Sequence, residues 1–276
     1  MKNKIILMLI LTLVFMFSGV TSAAESPEMV LVEAGTTSED NGSITVENNF
    51  YIGKYSVTQA EFKRVMGFNP SSFTVQEHPH LSGNSDYRPV EAVTWYDAVM
   101  FCNMLSEAES LEKYYNISDI EYHTSGNTNN IRSATVTENE GANGYRLPTE
   151  NEHIYAARGG RNGIATVYPG SDNVEEVAWY QDNSQAANSE LAEGIGTMPV
   201  GEKTANELGL YDMSGNVYDW TSTDFRGHSF RRRGGSWYNS HSNCRVGFSN
   251  HVNPSYRYSP NYRAGDVGFR LARNTD

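Results

Sequence analysis

The C-terminal tract of the chain, residues 238–263, is built from very few residue types. Asn, Tyr, Ser, His and Arg make up 19 of its 26 residues, and after Met213 the chain contains no Lys, Glu, Gln or Met. Tyrosine offers a large, rigid contact area at low entropic cost, while serine and asparagine offer adaptable hydrogen bonds. The tract is therefore typical of a binding surface rather than of a catalytic centre.

Length and composition limit the fold further. A chain of 276 residues is one large domain or two small ones and is long enough to bury a core. Modest hydrophobic content with abundant Gly, Asn, Ser and Tyr favours a loop-rich globular domain over a helical bundle. The net charge of −12 argues against a nucleic-acid partner, which requires a basic footprint.

A basic run, Arg231, Arg232 and Arg233, interrupts this acidic protein. One interpretation places the three arginines on a strand edge that leads into the core. The alternative is that they help to bind an acidic ligand.

The first 24 residues have the pattern of an export signal. Lys2 and Lys4 precede an apolar run at residues 5–17, and small residues follow as far as Ala24. The apolar run is too short for a membrane span. We therefore predict a signal peptide at 1–24, a mature domain at 25–276 without a transmembrane span, and a periplasmic, cell-surface or secreted location.

Local patterns predict the first part of the fold. Residues 29–32 and 44–46, separated by a turn-rich segment, indicate a β-hairpin, and residues 50–57 indicate a further strand. Thr58 followed by Glu61 is a capping box that predicts a helix through Val65 and Met66, which Asn69-Pro70 ends.

A second helix is expected to start near Thr94 or Trp95, with one face buried. The buried face would carry Ala98, Phe101, Cys102 and Leu105. Residues 109–144 are polar and predict an exposed hairpin or excursion. Thr149 and Glu152 form a further capping box for a helix that runs to Arg158 and stops at Gly159-Gly160. Short strands and turns are expected after Arg161.

Seven motifs, in order, resemble the formylglycine-generating enzyme (sulfatase-modifying factor) domain family. They include Arg-Leu-Pro-Thr-Glu, Gly-Leu-Tyr-Asp-Met-Ser-Gly-Asn-Val, Arg-Gly-Gly-Ser-Trp and Gly-Phe-Arg, and they lie at residues 55–62, 88–98, 146–150, 155–160, 209–220, 233–237 and 268–270. The resemblance implies one α+β domain with the C-type-lectin-like fold of that family, loop-rich and with little regular secondary structure.

Oxidases of this family hold Cu(I) with two cysteines just after the Gly-Gly-Ser motif. The matching positions here are Asn239 and Cys244, beside Ser236. Two thiolates suit the soft Cu(I) ion, whereas one thiolate and an amide do not. The resemblance therefore implies a degenerate catalytic site without copper. In the family, a disulfide links the cysteine that matches Cys102 to a cysteine just after the Gly-Phe-Arg motif. That second position is Leu271 here, so Cys102 is expected to be free and buried.

The resemblance also implies structural calcium. In the family the ion is held by the loop that matches residues 210–220, where Asp212 and Asp219 would give carboxylates and Gly215 and Val217 backbone carbonyls. Hard oxygen ligands of this kind are those that Ca²⁺ prefers. The alternative is that both aspartates only cap turns. A second family site corresponds to Asn183, Ser184, Glu193 and Ile195.

The C-terminal tract also resembles the variable region of proteins that are diversified by retroelements and use this same domain. Asn codons of the AAY type, randomised at adenine, encode Asn, Tyr, Ser, His, Asp, Gly, Arg and several others, but never Lys, Glu, Gln, Met or Trp. The first four of these excluded types are missing after Met213, and Trp237 belongs to the fixed family motif. Chance drift in composition is the alternative explanation.

The sequence as a whole predicts an exported, bacterial, calcium-stabilised and non-catalytic protein that binds a protein or glycan ligand. The expected ligand-binding residues are Trp237, Tyr238, Asn239, His241, Asn243, Tyr256, Arg257, Tyr258 and Tyr262. The alternatives are a copper-dependent oxidase that acts on sulfatase cysteine and a fixed envelope accessory protein. The sequence does not define the oligomeric state.

Overall fold

The structure is a computed structural model, and it describes most of the chain after the N-terminal segment. The described residues are 26–39, 42–78, 85–126, 129–184, 196–224, 230–248 and 259–275. The predicted signal peptide lies outside them. In the described part, no helix is long and apolar enough to cross a bilayer.

Regular structure is divided among many short elements. The strands are β1 (Met29–Val32), β2 (Gly35–Glu39), β3 (Gly42–Val46), β4 (Phe50–Gly53), β5 (Tyr115–Tyr122), β6 (Ile131–Glu138), β7 (Tyr145–Arg146), β8 (Tyr218–Asp224), β9 (Phe230–Arg233), β10 (Val267–Phe269) and β11 (Ala272–Asn274). The helices are α1 (Gln59–Met66), α2 (Trp95–Ala108), α3 (Glu150–Ala157) and α4 (Val174–Val177). This confirms the predicted loop-rich α+β class.

A four-stranded antiparallel sheet joins the two ends of the domain. Its strand order is β1-β4-β11-β7, so the first and last strands flank the same central strand. Ile52 in that strand faces Val30 on one side and Ala272 on the other. The segment just before β11 is therefore fixed in place by the sheet.

The predicted β1 hairpin is wrong in its pairing. Residues 29–32 pair with β4, and the hairpin that contains residues 44–46 is β2–β3, with Thr36 opposite Thr45. The strand predicted at 50–57 ends at Gly53, whose amide donates to the Leu271 carbonyl as the chain turns away. The polar sequence of β2 does not indicate a strand, so its pairing with β3 could not be predicted. The apolar β1 pairs instead within the four-stranded sheet.

Three helices begin at threonine caps, as the sequence predicts. Each threonine side chain accepts from the backbone three residues on, and the acid at that position accepts in return from the cap backbone. The predicted helix through Val65 and Met66 is confirmed, and Gly67, which takes a left-handed conformation with φ 79°, closes it ahead of Asn69-Pro70. The α3 prediction is confirmed, since Arg158 is its C-cap.

The second sheet lies across the main core and leads to the C-terminal tract. Its strand order is β10-β8-β9, with β10 parallel and β9 antiparallel to β8. Trp220 on β8 is fully buried, together with the predicted α2 face. Cys102 on that face is free and buried, as expected. The predicted excursion at 109–144 contains the hairpin β5–β6.

Candidate functional site

The loop that follows β9 presents the described part of the tyrosine- and asparagine-rich tract. Tyr238 is 64% exposed, and residues 240–242 are also exposed. Gly234 and Gly235 start the loop with φ of 96° and 75°. A side-chain carbon at Gly235 would lie 2.9 Å from the Asn243 carbonyl oxygen, so the loop can close on itself only because glycine stands there.

Trp237 is anchored to the scaffold beneath this loop. Its indole Nε1 donates to the Gly265 carbonyl at 2.9 Å, and its ring packs edge-on against Phe73, with centroids 5.2 Å apart. The exposed Tyr238 ring packs in turn on Trp237 at 5.4 Å. Trp237 thus supports Tyr238 from below and is itself half-buried.

The degenerate family site is tied up in hydrogen bonds and packing. Ser236 Oγ donates to Asn239 Oδ1 at 2.6 Å, and the Asn239 carbonyl accepts from the Gln181 amide at 2.9 Å. Cys244 is free and fully buried, and burial raises the pKa of its thiol to about 12. Cys244 is therefore a small core side chain and not an available thiolate.

The remaining predicted contact residues differ in exposure. His241 is exposed and its Nδ1 lies 3.3 Å from the Tyr168 hydroxyl, while Asn243 Oδ1 accepts from Ser240 Oγ. Tyr262 is half-buried, with its ring 6.5 Å from that of Trp220. Tyr256, Arg257 and Tyr258 lie outside the described residues.

The basic run at 231–233 belongs to a strand edge, as the first interpretation proposed. Arg231 donates to Glu150 Oε1 at 2.8 Å, and Arg233 also donates to this oxygen. Arg232 lies 3.6 Å from Asp266 Oδ1, with its guanidinium over the Tyr218 ring. All three arginines therefore interact with acidic side chains of the protein itself.

The predicted calcium loop contains two buried aspartates in different surroundings. Asp219 accepts from Arg270 Nε at 2.7 Å and from Ser56 Oγ at 3.0 Å, and His153 Nε2 lies 3.1 Å away. Burial alone would raise the pKa of Asp219, but Arg270 and His153 hold it below its ordinary value.

Asp212 has one carboxylate oxygen without a hydrogen-bond partner. Its Oδ2 accepts from the Gly201 amide at 2.8 Å, while its buried Oδ1 has no hydrogen-bond partner. Burial raises the pKa of Asp212 to about 6. Gly215 and Val217 are buried in the same loop. The unpartnered Asp212 oxygen is therefore the group in this loop that an oxygen-seeking cation would fit, whereas Arg270 already neutralises Asp219.

The second predicted calcium set is described only in part. Asn183 Oδ1 accepts from the Tyr180 amide, and Ser184 Oγ donates to the Trp237 carbonyl at 2.9 Å. Glu193 and Ile195 lie outside the described residues. Within the described ranges, no group of three or more His, Cys, Asp and Glu side chains is placed to hold a metal.

A buried acid that the sequence reasoning missed lies beneath Trp237. Glu91 is fully buried; its Oε1 accepts from the Phe73 amide at 2.9 Å, and its Oε2 has no partner. Burial raises the pKa of Glu91 to about 8. The available signal was a single acid between Val90 and Ala92 in an otherwise apolar run.

The family of the chain follows from a match over most of its length. The model of the sulfatase-modifying factor enzyme 1-like domain matches residues 17–275. The chain belongs to this family. The family assignment also confirms the fold that the motifs implied.

Curated proteins that are similar to this chain carry different names. Chaperone protein LppX of Paenibacillus barcinonensis is 38% identical, with 93% of this chain and 92% of that protein covered. The formylglycine-generating enzyme of Mycobacterium tuberculosis is 40% identical, over 31% of this chain and 29% of the enzyme. An inactive C-alpha-formylglycine-generating enzyme 2 of Mus musculus is 33% identical, over 47% and 43%.

Among solved structures, Treponema denticola variable protein 1 is similar over nearly the whole domain. It is 30% identical with a TM-score of 0.74, and the match covers 90% of this chain and 95% of that protein. PvdO from Pseudomonas aeruginosa shares the fold at 19% identity and a TM-score of 0.62, over 92% and 97%. Members of this fold therefore include a protein named for its variability.

Proposed function

We propose that this protein is an exported, non-catalytic ligand-binding member of its family. The observation that carries the proposal is the loop at 236–243, in which exposed Tyr238 and His241 stand on a buried, hydrogen-bonded base. Rigid aromatic contacts with small polar neighbours are the usual composition of a binding face. The similarity to a protein called variable protein 1 supports the same interpretation.

The contacts at the base of the loop reduce the conformational entropy that is lost when a ligand binds. Trp237 is fixed by Gly265 and Phe73, and Asn239 by Ser236 and the Gln181 amide. A loop that is already ordered loses little conformational entropy when a ligand binds. The anchors would therefore contribute to affinity rather than to ordering the loop.

The exposed positions form a face that can change without loss of the fold. Substitutions at Tyr238, Ser240, His241 and Ser242 alter exposed side chains, whereas Gly235, Ser236 and Cys244 lie in packed positions. We propose that residues 238–243, 249–253 and 255–266 are diversified at adenine-containing codons. A protein ligand is favoured over a glycan, because a similar relative is named a chaperone.

Calcium enters this proposal as a structural ion at Asp212, Gly215 and Val217. The unpartnered Asp212 Oδ1 supports it. The charge of Arg270 favours the Asp212 carboxylate but does not outweigh its burial, and bound calcium would add positive charge there and cross-link residues 212–217.

The competing function is copper-dependent oxidation of a cysteine. It needs a reactive thiolate, and Cys244 is buried, with its thiol pKa raised to about 12. Incubating the protein with Cu(I), oxygen and a cysteine-containing sulfatase peptide should leave the mass of the peptide unchanged. Conversion of the cysteine to formylglycine, abolished by Cys244→Ser, would establish the oxidase instead.

Binding is tested by probing an array of purified surface proteins and glycans with the labelled mature domain. We expect specific signals that disappear in the Tyr238→Ala/His241→Ala variant. Tyr122→Ala is the matched control, because Tyr122 is an exposed tyrosine on β5. Equal signals from the wild type and the double variant would refute the role of this loop.

A further inference from the structure

Four residues form a closed ring of contacts beneath the loop at 236–243. Glu91 Oε1 accepts from the Phe73 amide, the Phe73 ring packs on Trp237, and Trp237 donates to the Gly265 carbonyl. Gly265 also lies close to Glu91, which closes the ring. A side-chain carbon at Gly265 would be 3.7 Å from Glu91 Oε2 and 3.3 Å from the Phe73 ring. The support of the loop thus depends on one buried carboxyl group.

Burial is the main reason that the ionised form of this carboxyl group is disfavoured, and the like charge of Asp266 adds to it. Among the described residues, no ion pair reaches Glu91, and Oε2 is buried without a hydrogen-bond partner. The segment at 71–74 offers it amides and hydroxyls but no charge. Asp266 faces it with like charge from the segment before β10, and Arg232 pairs with Asp266. His78 is a further titratable group nearby, and its imidazole stacks on the Phe73 ring.

We propose that Glu91 is a positioning residue of the binding face, and that its neutral form holds Phe73, Trp237 and Gly265 together. The proposal rests on the function proposed above. A neutral carboxyl group can stay in this dry position, whereas an unpaired carboxylate is costly to bury. When the Oε2–H proton passes to solvent, the carboxylate needs water, which can enter only if the segment at 264–266 or at 71–74 moves away.

Movement of either segment would act directly on the loop. Loss of the Trp237–Gly265 hydrogen bond frees the indole, and Tyr238 loses the ring on which it packs. The face is therefore ordered while Glu91 is neutral and loosens when it ionises. The transition is expected near pH 8, because burial raises the pKa of Glu91 to about that value.

Hydrogen exchange measured by mass spectrometry tests this without a ligand. Peptides that cover 71–78 and 236–244 are followed across a pH series, with rates corrected for intrinsic exchange. We expect corrected exchange in the wild type to rise above the transition by roughly tenfold per pH unit. Glu91→Gln should stay protected throughout. Glu77→Gln, which changes an exposed acid in the same segment, should behave as the wild type.

A second variant keeps the test decisive if Glu91→Gln fails to fold. Asp266→Asn removes the like charge that faces Glu91, so its transition should move to lower pH. The proposal is overturned if wild-type protection does not change with pH, or if Glu91→Gln loses protection as the wild type does. It is also overturned if the Asp266→Asn transition does not move. None of these outcomes bears on array binding at neutral pH, so the two proposals fail separately.

Discussion

Asp219 and Glu91 are both buried acids, yet their surroundings are opposite. Asp219, under the loop at 210–220, has Arg270, His153 and Ser56 around its two oxygens. Glu91, under the loop at 236–243, receives hydrogen bonds from uncharged groups of residues 71–73, and its Oε2 has no hydrogen-bond partner. The Asp219 carboxylate is electrostatically satisfied, whereas Glu91, at the base of the proposed binding face, is not. The pKa of Asp219 is therefore lowered and that of Glu91 raised, so the two acids are expected to affect stability at opposite ends of the pH range.

The largest expected effect comes from breaking the satisfied region. Arg270 is fully buried and donates to Gly53, Tyr211 and Asp212 carbonyls as well as to Asp219. Arg270→Met should lower the free energy of unfolding by about 3–5 kcal/mol, because it leaves a buried carboxylate unpaired. Urea unfolding measures the loss.

A double substitution sharpens this test. Replacing Asp219 by Leu in the Arg270→Met background removes the orphaned charge and should recover part of the stability. No recovery would mean that the carbonyl contacts of Arg270, and not its pairing with Asp219, hold the loop.

The next effect concerns the unsatisfied acid. The pKa of Glu91 is raised from 4.5 to about 8 in the folded state, so the folded protein retains a proton that the unfolded chain releases. Its contribution to stability is therefore fully present below pH 4.5 and is lost as pH rises through about 8. The loss should be on the order of a few kcal/mol. Denaturant midpoints that fall with pH in the wild type, but less in Glu91→Gln, would bear this out.

Calcium is expected to have a smaller effect, through Asp212. At a free concentration 100-fold above Kd, a bound ion adds about 2.7 kcal/mol to the free energy of unfolding. Thermal denaturation with calcium and with a chelator should show this shift. We expect Asp212→Asn to abolish the shift and Asp219→Asn to reduce it less, since Arg270 already neutralises Asp219. A shift unchanged in Asp212→Asn would place the ion elsewhere.

Changes at the exposed face should affect stability least. Tyr238→Ala and His241→Ala should each alter the free energy of unfolding by less than about 0.5 kcal/mol, because both side chains are exposed. The same changes should weaken ligand binding by about 2 kcal/mol if both residues are anchors. A large loss of stability would show instead that these two side chains contribute to the core.

Local signals made the helices predictable from sequence. Thr58, Thr94 and Thr149 each carry their capping partner three residues on, so the start of each helix is encoded within one turn. Strand partners are not encoded locally. The pairing of residues 29–32 with β4 rather than with 44–46 depends on which apolar face closes the core, and short-range pattern does not reveal this.

The site divides in the same way. Exposed Tyr238 and His241 were predictable because a composition biased toward contact residues is visible in the sequence itself. The pair Asp219–Arg270 spans 51 positions, and the Glu91–Gly265 approach spans many more, so neither leaves a local pattern. Composition does not reveal which of these tyrosines are exposed, since Tyr262 is half-buried against Trp220.

The central claim is that a fixed scaffold carries a diversified binding face. Deep sequencing of the 3′ end of the gene in a growing population of the source organism tests it most directly. We expect substitutions confined to adenine-containing codons within 238–266, with the codons of buried Trp220 and Ser236 unchanged. An invariant tract, or substitutions spread evenly over buried and exposed positions, would contradict it.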